Sequence, residues 1–271
     1  MRNLSSRHSR FWSSDRSLSG LLVILVIGIF VLYPLGEIGV LGDVVLELVF
    51  SLLLISGVMS VTRNRIATVI ICFIAAATIF CGWLGLFYPS ALLSGFRYFF
   101  GILSLGLMVA IIMIDVFREG EINFHRIQGA IAGYLLLGIL LAVTYRLIAL
   151  LEPGSFMRGT HPVSGVFSDG SLMHAFLFFS FSTLTTIDYS DVVAVNPLAR
   201  SLVIVEALIG QLFPAILLAR LVSMEVSSRE TRSRKSDSGE SSIEYRQNLD
   251  RANQQRENLS QLLPTRSKHA V

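Results

Sequence analysis

The stretch Ser182-Thr183-Leu184-Thr185-Thr186-Ile187-Asp188-Tyr189-Ser190-Asp191 decides how the rest of this chain is read. It is polar and poor in helix formers, yet it stands between two apolar segments. Of the 271 residues, 53% are hydrophobic and only 15% are charged. Ordinary soluble domains carry roughly a quarter charged residues, so the composition points to a membrane protein. Irregular backbone at membrane depth is tolerated only where it is buried in protein or lines a water-filled path. Threonine and serine hydroxyls followed by two carboxylates, Asp188 and Asp191, therefore suggest a lining for ions.

Six apolar segments surround this stretch, at 18–35, 44–61, 66–88, 99–117, 127–151 and 197–222. Each approaches the roughly 20 residues that cross a hydrocarbon core. The first follows a basic arm, as a secretory signal would. It is longer than a signal core, however, and no small-residue cleavage site follows Tyr33-Pro34, so it reads as a retained helix. Arg63 and Arg65 lie between the second and third segments, and Arg118, His125 and Arg126 between the fourth and fifth. The alternate loops carry Glu37, Asp43 and little that is basic beyond Arg97. The positive-inside rule then places both termini in the cytoplasm.

A shorter apolar segment, 172–184, lies between the last two spans. Its length suits a re-entrant or buried helix, and Ser168-Asp169-Gly170-Ser171 offers N-cap residues. A helix entering from outside and stopping part-way aims its C-terminal dipole, about −0.5 elementary charge, at the membrane interior. That potential suits a cation. The polar run follows directly and is expected to climb back outward as extended backbone.

Helix, short re-entrant helix, polar run and helix form the order of the potassium-channel pore module. Residues 183–191 resemble the family's Thr-Leu-Thr-Thr-(Val/Leu/Ile)-Gly-Tyr-Gly-Asp. The similarity continues through Asn196-Pro197-Leu198-Ala199-Arg200-Ser201-Leu202 and Glu206-Ala207-Leu208-Ile209-Gly210-Gln211-Leu212, wording similar to bacterial ion channel members. The detailed match covers 171–222; the first four spans match in number alone. The resemblance implies four chains around one axis, with backbone carbonyls and a threonine hydroxyl replacing the ion's hydration shell. It makes Thr185, Thr186, Ile187, Asp188, Tyr189 and Ser190 the filter and Asp191 the outer mouth. Gly210 takes the place of a hinge glycine in the inner helix, and Pro214, one turn later, can kink that helix.

The chain departs from the family at Asp188 and Ser190, where glycines permit the positive φ that aims successive carbonyls inward. Asp tolerates left-handed backbone better than most residues, and Ser less well. Four Asp188 side chains would form an acidic ring, a device of cation channels. Potassium is the permeant ion that the resemblance favours; sodium or calcium passage stays open. So does a channel-like scaffold that no longer conducts.

Other residues carry less chemistry. A voltage sensor needs several arginines at three-residue spacing, and the fourth span has Arg97 and Asp115 at its ends. Glu206 and Arg146 lie within apolar spans. Glu206 reads as filter support, a partner for pore-helix hydroxyls, and Arg146 as a partner of Glu152. His161 and His174 show no metal spacing, and Phe176, Phe178, Phe179 and Phe181 read as packing around the filter. Cys72 and Cys81, nine residues apart, point to opposite helix faces and cannot pair within their helix. No phosphate loop, zinc spacing, nucleophile elbow or inverted repeat is present, so no catalytic residue, cofactor or metal beyond permeant cations is expected.

The formal charge of +3 hides two basic clusters, Arg2, Arg7, Arg10 and Arg16 at the start and Arg229 to Lys235 after the last span. Both flank spans, so they read as topology signals and anionic-lipid contacts rather than a nucleic-acid surface. The stretch after 226 reads as a flexible linker, then a sparse stripe of Ile243, Leu249, Ala252, Leu259 and Leu263 that suits a short amphipathic helix. The expected organisation is a basic arm at 1–17 and a four-helix scaffold at 18–117. A pore domain at 127–226 and a cytoplasmic tail at 227–271 follow. The fold class is an all-α membrane protein of six spans with a re-entrant pore helix. It is expected to act as a homotetramer in a bacterial inner membrane.

Overall fold

In hydrocarbon every backbone N–H must find a carbonyl within its own segment, so apolar runs become helices. The structure is a computed structural model that describes residues 19–29, 43–60, 65–88, 90–117, 124–163 and 170–220, with isolated positions 222, 223, 226, 251 and 253. The basic arm and nearly all of the tail lie outside the described residues. Residues 19–29 are helical, here α1. Then come α2 (Asp43–Ser60), α3 (Arg65–Phe87), α4 (Ala91–Val116) and α5 (Phe124–Leu151). Strands β1 (Phe156–Arg158) and β2 (His161–Pro162) precede α6 (Gly170–Leu184), and β3 (Val192–Ala194) follows it. The long helix α7 spans Pro197–Arg220. Two compact units result, Met1–Leu218 and Ala219–Val271, and the second is helical at its few described positions.

Four helices are long and apolar enough to cross a membrane: Thr68–Phe87 within α3, then α4, α5 and α7. The apolar parts of α2 and α6 are shorter, Val44–Met59 and Leu172–Leu184. Of the first expected span only 19–29 is described.

Helix α4 starts eight residues before the expected span. Ser90 caps it, with extended backbone and a side chain that accepts from the Leu93 amide at 3.2 Å. The reason that the apolar pattern concealed these first two turns is Arg97, which the fold neutralises. Its guanidinium donates to Glu47 of α2 at 2.6 Å, and Glu47 is only 2% exposed. Ser51 and Trp83 extend the cluster: Ser51 donates to the Glu47 carbonyl, and the Trp83 indole donates to the Ser51 hydroxyl. Gly82 makes room, because a Cβ there would stand 1.8 Å from Glu47 Oε1.

Around this polar site the helices share one apolar core that includes Leu21, Leu25, Leu54, Ile71, Leu105, Met108 and Leu136. Ser19 of α1 donates to Gln128 of α5 at 3.1 Å. Gly57 lets α2 approach α4 closely, since a Cβ there would meet the Met108 methyl at 1.6 Å.

The all-α expectation needs one addition. Three short strands form an antiparallel sheet of order β2-β1-β3. Met157 pairs with Pro162 and Val193, and Arg158 with His161 and Val192. The sheet ties the segment after α5 to the segment after the polar run. Strands of two or three residues leave almost no periodic signal, which is why the sequence did not disclose them.

Candidate ion-conduction site

Helix α6 reaches the protein interior through an aromatic cluster. Phe156 of β1 is fully buried and meets Phe176 and Phe179 of α6 edge-on, with centroids 5.0 and 5.9 Å away. Tyr145 of α5 completes the group, 5.6 Å from Phe156 and 5.2 Å from Phe179. Such edge-to-face pairs add to area burial and fix ring orientation. Gly138 lets α6 lie close to α5; a Cβ there would stand 2.7 Å from the Phe181 ring. Phe178, by contrast, is exposed.

Behind this cluster sits Glu206 of α7, fully buried. The Tyr145 hydroxyl donates to its Oε2 and the Ser180 hydroxyl to its Oε1, each at 2.5 Å. Ser180 also lies 2.8 Å from the Gly138 carbonyl. One carboxylate thereby joins all three helices of this region. Its side chain lies among α5 and α6 rather than among the exposed residues of the polar run. Tyr145 was not singled out in the sequence, although a tyrosine inside an apolar span needs a partner for its hydroxyl.

The C-terminus of α6 is clamped from two sides. The Tyr134 hydroxyl of α5 donates to the Leu184 carbonyl at 3.0 Å. Gly210 of α7 presses on the same group, where an added Cβ would stand 2.0 Å from the Leu184 oxygen and 2.8 Å from its carbon. These are backbone atoms and cannot swing aside. Phe213 stacks on Tyr134 at 5.5 Å, so α7 touches both halves of the clamp. Pro214 cannot donate to the carbonyl four residues earlier, which is that of Gly210. Close approach and a missing helical bond thus coincide at one residue.

The polar run begins as a helix cap. Thr186 donates to the Thr183 carbonyl at 2.9 Å, and Ile187 to the Ser182 carbonyl at 2.9 Å. This is the Schellman pattern, which satisfies carbonyls that a helix end leaves over. Asp188 adds a longer bond to Ser182 at 3.2 Å. The outward climb as extended backbone therefore does not start at Thr185: the amides of 186–188 turn back to α6 first. Among the described residues, Thr186 (φ 58°) and Asp188 (φ 52°) are the non-glycine residues with positive φ. Asp188 thus takes left-handed backbone, the conformation that the resemblance to a glycine position implied. Ser190 does not, and its hydroxyl instead accepts from the Val192 amide at 3.2 Å. Thr186 is the strained position, because a β-branched residue rarely adopts positive φ. Residues 185–189 are exposed in the single chain, Ile187 and Tyr189 prominently so.

Asp191 forms an ion pair with Arg158 of β1. Asn196 starts α7 by accepting from the Leu198 amide at 2.7 Å, and its side-chain amide donates to Glu152. Arg146, for which Glu152 was the expected partner, is buried in α5 with its guanidinium 5.7 Å from the Tyr98 ring centroid. His174 is buried in α6 and His161 is exposed on β2. Among the described residues, no group of His, Cys, Asp and Glu could hold a metal ion.

This arrangement, a short helix carrying a polar run between two membrane-length helices, coincides with what comparison finds. Residues 133–227 match the sequence model of a family described as Ion channel. The match takes in most of α5, the sheet, α6, the polar run and α7. No curated protein and no solved structure matches the chain. Together with four helices long and apolar enough to cross a membrane, this likeness to ion channels over residues 133–227 marks the chain as a membrane protein. The helices before residue 133 lie outside that match.

Proposed function

We propose that this protein is the pore-forming subunit of a homotetrameric cation channel with six spans, both termini cytoplasmic, in a bacterial inner membrane. The observation that carries the reading is the clamped end of α6. A short helix, held at Leu184 by Tyr134 and Gly210, directs its negative dipole end and the hydroxyl-rich run 185–190 to one place. Thr185, Thr186, Ile187, Asp188, Tyr189 and Ser190 line the ion path, Asp191 marks its mouth, and Glu206 supports it from behind. The exposed apolar face of α7, with Ile204, Val205, Leu208 and Leu212, is where neighbouring subunits pack. Gly210 and Pro214 form the gating hinge. Potassium is the favoured ion, on the family resemblance, and no enzymatic step or cofactor is involved. Anionic lipid meets the basic clusters near the termini.

The test is reconstitution of the purified protein in planar bilayers under potassium, sodium and calcium gradients, with its mass measured in nanodiscs. Cation-selective unitary currents from a tetramer are expected. An intact tetramer silent under every gradient would sink the proposal.

One observation favours a second reading. The amides of Ile187 and Asp188 are engaged with Ser182 and Thr186 is strained, a backbone unlike an extended carbonyl ladder. A channel-like scaffold that does not conduct would keep that conformation. Asp188→Gly with Ser190→Gly separates the two: newly gained or sharpened potassium selectivity points to backbone geometry as the limiting factor.

A further inference from the structure

Arg158 has no role in the site as described above, yet it faces the residue that closes the polar run. Its placement comes from the backbone. β1 and β3 pair with Arg158 opposite Val192, the neighbour of Asp191. Gly159, at φ 60°, turns the chain immediately after Arg158, and its amide donates to the Asp191 carbonyl at 3.4 Å. Arg158 Nε donates to Asp191 Oδ2. The side chains are 42% and 48% exposed. An exposed ion pair contributes little to stability, so its consequence lies in the electric field at the mouth. Among the described residues no basic side chain pairs with Asp188, three positions earlier.

We propose that Arg158 is a positioning residue that sets the charge of the outer mouth. Paired with Asp191, it cancels the terminal carboxylate, so an arriving cation meets Asp188 as the uncompensated acidic group. The inference rests on the reading of residues 185–191 as a cation path. In four copies around an axis, alternating Arg158 and Asp191 form a neutral rim, and the acidic potential that concentrates cations comes from the ring inside it.

Terbium binding tests this without requiring current. Tyr189 is exposed and lies between the two carboxylates in sequence, so it sensitises the luminescence of terbium held at either. The purified full-length protein is titrated with terbium in detergent at about 10 mM and about 1 M salt, where the Debye length is roughly 30 Å and 3 Å. Arg158→Gln is expected to raise terbium affinity several-fold at low salt, with the gain lost at high salt. Arg158→Lys keeps wild-type affinity. Adding Asp191→Asn to Arg158→Gln removes the gain, and Asp188→Asn lowers binding in the wild-type background.

Wild-type affinity in Arg158→Gln at low salt overturns the proposal, as does a gain that survives Asp191→Asn. If Arg158→Gln does not fold, Asp191→Asn alone decides. It leaves Arg158 uncompensated and should weaken terbium binding several-fold; unchanged binding sinks the idea. A protein that shows the expected terbium series but passes no current refutes the channel reading and leaves the Arg158–Asp191 pairing standing.

Discussion

Among the described residues two glutamates are buried, one on each side of residue 133, and the fold holds them in opposite ways. Glu47 of α2 meets a guanidinium, that of Arg97 in α4. Glu206 of α7 meets two hydroxyls, from Tyr145 in α5 and Ser180 in α6. In the scaffold the charge is cancelled where it is buried, so the pair acts as a strut between helices. In the region that matches the ion channel family, the hydrogen-bond donors to the carboxylate are neutral hydroxyls. That carboxylate lies one turn from the C-terminus of α6, whose dipole is negative as well. Before residue 133 the buried carboxylate is held by a cation, whereas in the matched region it is held by hydroxyls beside the proposed cation path.

The largest effect expected from testing this contrast is on the scaffold. Glu47→Ala leaves Arg97 without its carboxylate, and breaking a buried pair costs about 3–5 kcal/mol. The partial exposure of Arg97 puts the expected loss at the lower end. Thermal or denaturant melting of the purified protein should show Glu47→Ala with Arg97→Ala recovering most of that loss. A double variant as unstable as the single would mean that Glu47 does not act through Arg97.

Glu206→Gln is expected to cost about 1.5–3 kcal/mol, the range for hydrogen bonds to charged groups. Here no second substitution of a basic residue restores stability. A double-mutant cycle with Tyr145→Phe should reveal coupling between the two positions, and strictly additive losses would contradict the shared carboxylate.

Glycines sharpen the comparison further. Gly210→Ala drives a methyl into the Leu184 carbonyl, and overpacking of this kind costs about 1–3 kcal/mol. Gly57→Ala in the scaffold presses on the flexible end of the Met108 side chain rather than on backbone, and should cost less. Equal melting temperatures for the two variants would break the distinction. The smallest effect is expected from Tyr134→Phe, which removes one neutral hydrogen bond to Leu184, about 1 kcal/mol. Its loss should be measurable in the same melts and should shrink in a Gly210→Ala background, where the clamp is already displaced.

Much of the fold was legible. Runs expected at 66–88 and 127–151 appear as Arg65–Phe87 and Phe124–Leu151, and the short segment 172–184 appears as Gly170–Leu184. Hydropathy reports these directly, because burial in lipid and helix formation have one cause. The start of α4 was misplaced for the same reason: Arg97 interrupts the apolar pattern, and only its pairing with Glu47 makes the residue admissible. Glu47 itself was overlooked, although an ionisable residue inside an apolar run is the usual pointer to a specific partner. The position of the polar run between a short and a long helix could be read. Its conformation could not, since the Schellman cap at Thr186 runs against the backbone preference of threonine.

Sequence alone determined that the chain is a membrane protein, where most of its helices lie, and that a hydroxyl-rich run interrupts them near the end. Each of these depends on bonds between residues three or four positions apart and on the affinity of side chains for lipid, both of which are local. Tertiary structure decided which charges meet. Tyr145 and Glu206 are 61 residues apart and Arg158 and Asp191 are 33 apart. The strands that join the two flanks of α6 likewise pair across intervening helix. Such contacts exist only after helices have packed, because the packing geometry, and not the identity of either residue, selects the partner.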